Sequence, residues 1–174
     1  KRSKFLPGLK GKVRDLSDEQ FRTIRALYWG MIAEVDSQLG RLWQALRTAG
    51  DWDNTIIVLT SDHAEMMGDH FMLGKGGFFE QSYHLPLVIR DPRQKRAGRR
   101  VRHFTEAVDL TPTVLDLAGS APPAYMDGRS LAPLLAGKDA ASWRDAAHWE
   151  FDFRDITAKP DKAPFGLRPE QCNL

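Results

Sequence analysis

The run Asn54-Thr55-Ile56-Ile57-Val58-Leu59 narrows the fold more than any other stretch of this chain, because it is β-branched and almost unbroken. A strand with one wet face alternates apolar and polar residues. This run instead reads as a strand buried on both faces, inside an α/β sheet covered by helices. Directly after it come Thr60-Ser61-Asp62-His63-Ala64-Glu65-Met66-Met67-Gly68-Asp69-His70 and then Gly74-Lys75-Gly76. In open α/β sheets, chemistry collects just beyond the carboxyl ends of the strands. An adjacent carboxylate and imidazole at that point are placed to grip a metal or a phosphate-like ester. The plainer alternative is a loop Asp that caps a helix.

The flanking sequence fits an α/β reading. Ser17 and Gln20 stand at capping-box spacing, with Asp18 and Glu19 in the first turn. From there Phe21, Ile24, Tyr28, Met31, Val35, Leu39, Leu42 and Leu46 recur every three or four residues, so one long amphipathic helix is predicted, closing near Gly50. Trp29 and Trp43 fall beside this stripe and are expected to pack against the sheet. Asp51 to Asn54 makes the turn into the strand. Helix then strand is the second half of a right-handed β-α-β crossover, which places a further strand before residue 17.

Gly68, Gly74, Gly76 and Gly77 mark an irregular stretch after the Asp-His pair. A short helix is predicted over residues 80–83 and a second strand over 87–89, with Pro86 at its start. Thr111 is the expected N-cap of a helix that has Pro112 at its first position and Gly119 at its end. A helical turn is expected over residues 130–135 and a strand over 148–153. Beyond Asp155 the pattern fades into prolines and charges and reads as poorly ordered.

Bulk composition excludes several classes. With 174 residues, 42% of them hydrophobic, the chain can fill one modest core. No run is apolar enough to span a bilayer, so no membrane partner is expected. The single cysteine, Cys172, excludes an intramolecular disulfide. A formal net charge of +2 gives no ground for a nucleic-acid partner. The local basic run from Arg90 to Arg102 includes Arg93, Lys95, Arg96, Arg99 and Arg100, but no aromatic residues interleave the charges. It reads as a solvated loop joining two elements.

Taken in order, several pieces resemble one family. They are Val35-Asp36-Ser37-Gln38-Leu39-Gly40-Arg41, the strand with Thr60-Ser61-Asp62-His63, Gly68-Asp69-His70, Gly74-Lys75, Glu80 and Leu85-Pro86-Leu87-Val88-Ile89. Val108-Asp109-Leu110-Thr111-Pro112-Thr113 and Asp127-Gly128-Arg129-Ser130-Leu131 complete the set. The order is similar to that of the sulfatase branch of the alkaline phosphatase superfamily. Histidine after the metal-binding Asp, the Leu-Gly-Lys spacing and Trp143-Arg144-Asp145-Ala146-Ala147-His148-Trp149-Glu150 look most like the phosphonate monoester hydrolases, which also cleave phosphodiesters and sulfate esters.

The resemblance implies part of an alkaline-phosphatase-like α/β sandwich, with a central mostly parallel sheet flanked by helices and the N-terminal half missing. Residues 1–155 are expected to form the C-terminal part of the catalytic domain, and 156–174 a tail or the start of a C-terminal subdomain. The resemblance makes Asp62 and His63 metal ligands and Lys75 a catalytic contact to substrate oxygen. Asp69 and His70 are expected in a supporting role, orienting His63 or the loop, while Glu65 could cap the following turn. An anionic ester repels an anionic nucleophile unless a cation neutralises it, which is the task of a divalent metal. A carboxylate oxygen with a histidine nitrogen suits Mn²⁺, Fe²⁺ or Zn²⁺, and Ca²⁺ less well.

One departure matters more than these matches. The family's nucleophile is a formylglycine made from the cysteine of a Cys-x-Pro/Ala-x-Arg motif, and no arginine follows Cys172. The expectation is a piece of a longer enzyme that holds part of the site without its nucleophile and is inactive alone. The intact enzyme is expected to act on a small anionic ester and to form a homo-oligomer. Ala64 replaces the family's usual glycine, and alanine is strained there if the position needs positive φ. The competing readings are an arylsulfatase, a non-catalytic sulfatase-like module and a nucleic-acid binder using residues 90–102.

Overall fold

A long helix, a small two-stranded sheet and a cluster of short helices make up the computed structural model, which describes residue 13 and residues 15–75, 78–94, 97–138 and 142–149. Helix α1 (Asp18–Ala49) starts where the sequence predicts. The Gln20 amide donates to the Ser17 hydroxyl at 3.2 Å, and the Gln20 side chain accepts the Ser17 amide at 2.8 Å. Gly50 ends the helix in the left-handed region, with φ +79°. No residue of α1 is buried, and Met31, Val35 and Leu42 of the predicted apolar stripe stay exposed. Trp29 is 68% exposed and does not pack against the sheet. Trp43 meets Trp52 edge-on, with ring centroids 6.1 Å apart.

A single 3-10 turn (Trp52–Asn54) leads into strand β1 (Ile57–Leu59). Helix α2 (Glu80–Tyr83) and strand β2 (Val88–Arg90) follow. The two strands pair antiparallel, with Ile57 opposite Arg90 and Leu59 opposite Val88. No parallel pair occurs among the described residues, so the mostly parallel sheet finds no counterpart there. The predicted strand shortens from six residues to three, because β2 offers only three partners. Its residues are half-buried or exposed rather than buried on both faces. Antiparallel pairing brings the start of β2, and α2 before it, to the end of β1 where Asp62 and His63 follow.

Arg90 closes the opposite end. Its guanidinium donates to the Trp52 and Thr55 carbonyls at 2.6 and 3.0 Å and lies over the Trp52 ring. Arg93 forks onto Asp91 and reaches the Leu117 carbonyl, and Arg99 reaches that of Leu134. These arginines of the basic run therefore have partners within the fold.

A cluster of buried side chains lies farther along the chain. A 3-10 turn (Ala107–Asp109) runs into α3 (Leu110–Leu117), and α4 (Ala132–Leu135) follows a loop. Leu117, Leu131 and Leu134 are buried there. So is Asp109, which accepts from the Glu106 and Arg129 amides and from both terminal nitrogens of Arg144 at 2.6–2.9 Å. Gly128 makes this possible, since a Cβ there would stand 1.9 Å from the Val108 carbonyl oxygen. Helix α3 begins at Leu110, and the expected cap Thr111 lies inside it. Pro112 still sits in the first turn, where its missing N–H leaves no helical bond unmade. Most of the strand expected over 148–153, the tail from 156 and Cys172 lie outside the described residues, and His148 and Trp149 are not in a strand.

Candidate active site

The chain leaves β1 at Leu59 and turns so that the side chains of Asp62 and His63 converge. Asp62 Oδ2 stands 3.5 Å from His63 Nε2. The other ring nitrogen, Nδ1, lies 2.9 Å from the Ala64 carbonyl oxygen. A carbonyl can only accept, so Nδ1 carries a proton, and in the neutral ring Nε2 would be left with its lone pair beside the carboxylate. The Ser61 hydroxyl donates to the His63 carbonyl at 2.7 Å, and the Ala64 amide to the Ser82 carbonyl at 2.9 Å. The turn is thus tied to α2. The His63 backbone N–H beside it is the main reason that the Asp62 carboxyl titrates below its ordinary value of 3.8. The charges of the His63 ring and Lys75 contribute less.

Both donors fit a divalent ion. Ligands at about 2.0–2.2 Å from one metal lie roughly 3–3.5 Å apart, and a metal-bound histidine usually donates its second nitrogen to a carbonyl or carboxylate. The Asp62–His63 spacing of 3.5 Å and the Nδ1 bond meet both conditions. No cluster of three or more His, Cys, Asp or Glu side chains gathers among the described residues.

The segment from Ala64 to Lys75 is a closed loop with a ladder of cross-links. The Met66 amide donates to the Gly74 carbonyl at 2.9 Å and the Gly68 amide to the Met72 carbonyl at 2.8 Å. The Gly74 amide donates to the Glu65 carboxylate, so Glu65 spans the loop instead of capping the next turn. Met66 and Met72 are buried beneath it, and the Ser82 hydroxyl lies 3.0 Å from the Met66 sulfur.

The sharp bends fall at Met67, Gly68, His70, Phe71 and Gly74, all with positive φ. Ala64 is not among them, so the alanine carries no left-handed strain. Gly68 is required twice over, by its φ of +93° and because a Cβ would stand 2.5 Å from the Phe21 ring.

The Asp69 carboxylate is engaged by α1 and α2. It accepts from Arg25 of α1 at 2.8 Å and from Gln81 at 3.3 Å, while His70 stacks on Phe79 at 4.0 Å. Arg25 also donates to the Met67 carbonyl at 2.7 Å. Sequence reasoning singled out neither Arg25 nor the reach of Glu65 to Gly74. Arg25 had a signal, since it follows Phe21 by four residues and so shares its helix face.

The arrangement defines a class: a strand-end carboxylate and imidazole with a cation across a braced loop, suited to an anionic ligand. Comparison narrows it. Residues 5–120 match the sulfatase family model, and residues 68–174 match the model of the N-sulphoglucosamine sulphohydrolase C-terminal region. The chain is 41% identical to the multifunctional alkaline phosphatase superfamily protein PehA of Trinickia caryophylli, covering all of this chain and 34% of that protein. It is 37% identical to an N-acetylglucosamine-6-O-sulfatase of Bacteroides thetaiotaomicron, over 95% of this chain and 30% of the other. Among solved structures, the phosphonate monoester hydrolase of Agrobacterium radiobacter superposes with a TM-score of 0.78 at 60% identity, over 82% of this chain and 29% of that one.

The chain belongs to the sulfatase family of the alkaline phosphatase superfamily. Its relatives include hydrolases named for sulfate and phosphonate esters, and it spans about a third of the length of these relatives.

Proposed function

We propose that this chain supplies one wall of the active site of a metal-dependent hydrolase of phosphonate monoesters, phosphodiesters or sulfate esters. The observation that carries the proposal is the convergence of Asp62 Oδ2 and His63 Nε2 at 3.5 Å, with the second His63 nitrogen committed to a carbonyl. Asp62 and His63 are two of the metal ligands, and the others come from outside the described residues. A bound divalent ion would polarise the ester and offset its charge.

The residues of the chain do the rest. Asp62, titrating below the ordinary carboxylate range, stays ionised and available as a ligand at neutral pH. The Ala64 carbonyl holds the His63 ring in one tautomer and one orientation. Lys75 places a full positive charge where negative charge develops on the ester oxygens. The nucleophile that the family resemblance implies, a formylglycine, is not provided by Cys172, which no arginine follows.

A preference for phosphonate over sulfate esters is supported by the 60% identity to a phosphonate monoester hydrolase. The histidine at position 63, where sulfatases commonly carry asparagine, also supports it. The test measures kcat/KM of the full-length enzyme on matched aryl phosphonate and aryl sulfate esters, before and after chelation. Faster phosphonate cleavage that chelation abolishes is expected. A clear sulfate preference would overturn the ranking, and turnover untouched by chelation would overturn the metal.

A further inference from the structure

We infer that Glu65 is a positioning residue that fixes Gly74, the residue before Lys75, against the Asp62–His63 end of strand β1, and so sets where the lysine charge meets the substrate. The inference rests on the hydrolase reading above and adds to it a residue with no direct contact to substrate or metal.

Lys75 is exposed, and a lysine stem has many rotamers, so its ammonium is only as well placed as the backbone beneath it. That backbone runs through Gly74, whose two flanking peptide units are each held by one bond. Its N–H donates to the Glu65 carboxylate, and its C=O accepts the Met66 amide at 2.9 Å. Both partners stand two and three residues after His63, on the same turn that the Ala64 amide ties to Ser82. The chain from the metal-ligand pair to the lysine is therefore short and braced at its two ends.

The glycine at the junction has φ +77° with open space where a Cβ would be. It is needed for its conformation and not for room. Without the Glu65 carboxylate this half-exposed loop loses a charge-assisted bond and half of the grip on Gly74. A displacement of about 1 Å at a charged contact can cost on the order of a hundredfold in rate.

A double-mutant cycle in the full-length enzyme tests this, with an aryl phosphonate monoester as substrate. Glu65→Ala is expected to lower kcat by about 10- to 100-fold with metal content unchanged. In a Lys75→Ala background the same change should cost less than about threefold, because there is no charge left to misplace. Glu65→Gln keeps an acceptor oxygen and should recover most of the rate. Equal losses in both backgrounds would overturn the inference and leave the role of Lys75 standing. No loss from Lys75→Ala alone would overturn that role, and the inference with it.

Should Glu65→Ala not fold, amide exchange in the wild-type protein decides the matter. A protected Gly74 amide is expected, and exchange at the rate of an open loop removes the bond on which the inference stands.

Discussion

At the scale of single residues, the site depends on where each polar atom is held. Lys75 illustrates this: a compact ammonium differs from a planar fork, so Lys75→Arg is not conservative. Both Lys75→Ala and Lys75→Arg are expected to lower kcat by on the order of 10²-fold or more, with metal retained. Recovery of the wild-type rate by arginine would show that charge alone suffices.

Asp91 gives a prediction in pH. The Arg93 side chain bonded to it holds its carboxyl below the ordinary 3.8. A depressed native value favours the carboxylate in the folded state, so this contribution to stability is fully present above the ordinary carboxylate value. It is lost as pH falls through the lowered one. Asp91→Asn should therefore lower Tm at neutral pH and converge on the wild type in acid, as thermal melts across pH would show. Asp62 and His63 were legible in sequence because they sit next to each other after a recognisable strand. Glu65 and Arg25 were not, since their partners Gly74 and Asp69 lie nine and forty-four residues away.

At the scale of elements, what was local was read correctly and what needed a partner was not. The limits of α1 follow from Ser17, Gln20 and Gly50 alone. The length and direction of β1 depend on β2, and nothing in residues 54–59 encodes an antiparallel neighbour. The start of α3 shifted from Thr111 because the chain enters it through a 3-10 turn whose last residue, Asp109, turns its carboxylate onto Glu106, Arg129 and Arg144. That buried carboxylate joins pieces of sequence that had been recognised separately.

Asp109→Ala would leave the Arg144 guanidinium, which is only 12% exposed, with Glu106 as its one remaining carboxylate among the described residues, and would unpair the Glu106 and Arg129 amides. A loss of about 3–5 kcal/mol is expected by denaturant titration of the full-length protein. Gly128→Ala should destabilise too, because its Cβ meets the Val108 backbone at 1.9 Å. Wild-type stability in either variant would mean that the hub does not hold these elements together.

At the scale of the whole molecule, α1 is the outstanding feature. It has 32 residues, none buried, and carries Leu27, Trp29, Met31, Val35 and Leu42 on its exposed surface. Leu27, Met31, Val35 and Leu42 share one face of the helix, and exposed apolar surface of this kind marks an interaction site or an aggregation liability. These 174 residues expressed by themselves are expected to self-associate in sedimentation velocity, and a stable monomer at high concentration would contradict that. The chain's family was legible from ordered motifs, and so was the placing of Asp62 and His63 just beyond a strand. The pairing of β1 with β2 was not, because it belongs to contacts that no local pattern specifies.

The most direct test of the central claim reads metal content and hydrolysis in the same sample of the full-length enzyme, for Asp62→Ala and His63→Ala beside the wild type. Loss of the divalent metal together with loss of aryl phosphonate and sulfate ester cleavage is the predicted result. Full activity with metal retained in either variant would remove that residue from the metal site and contradict the account.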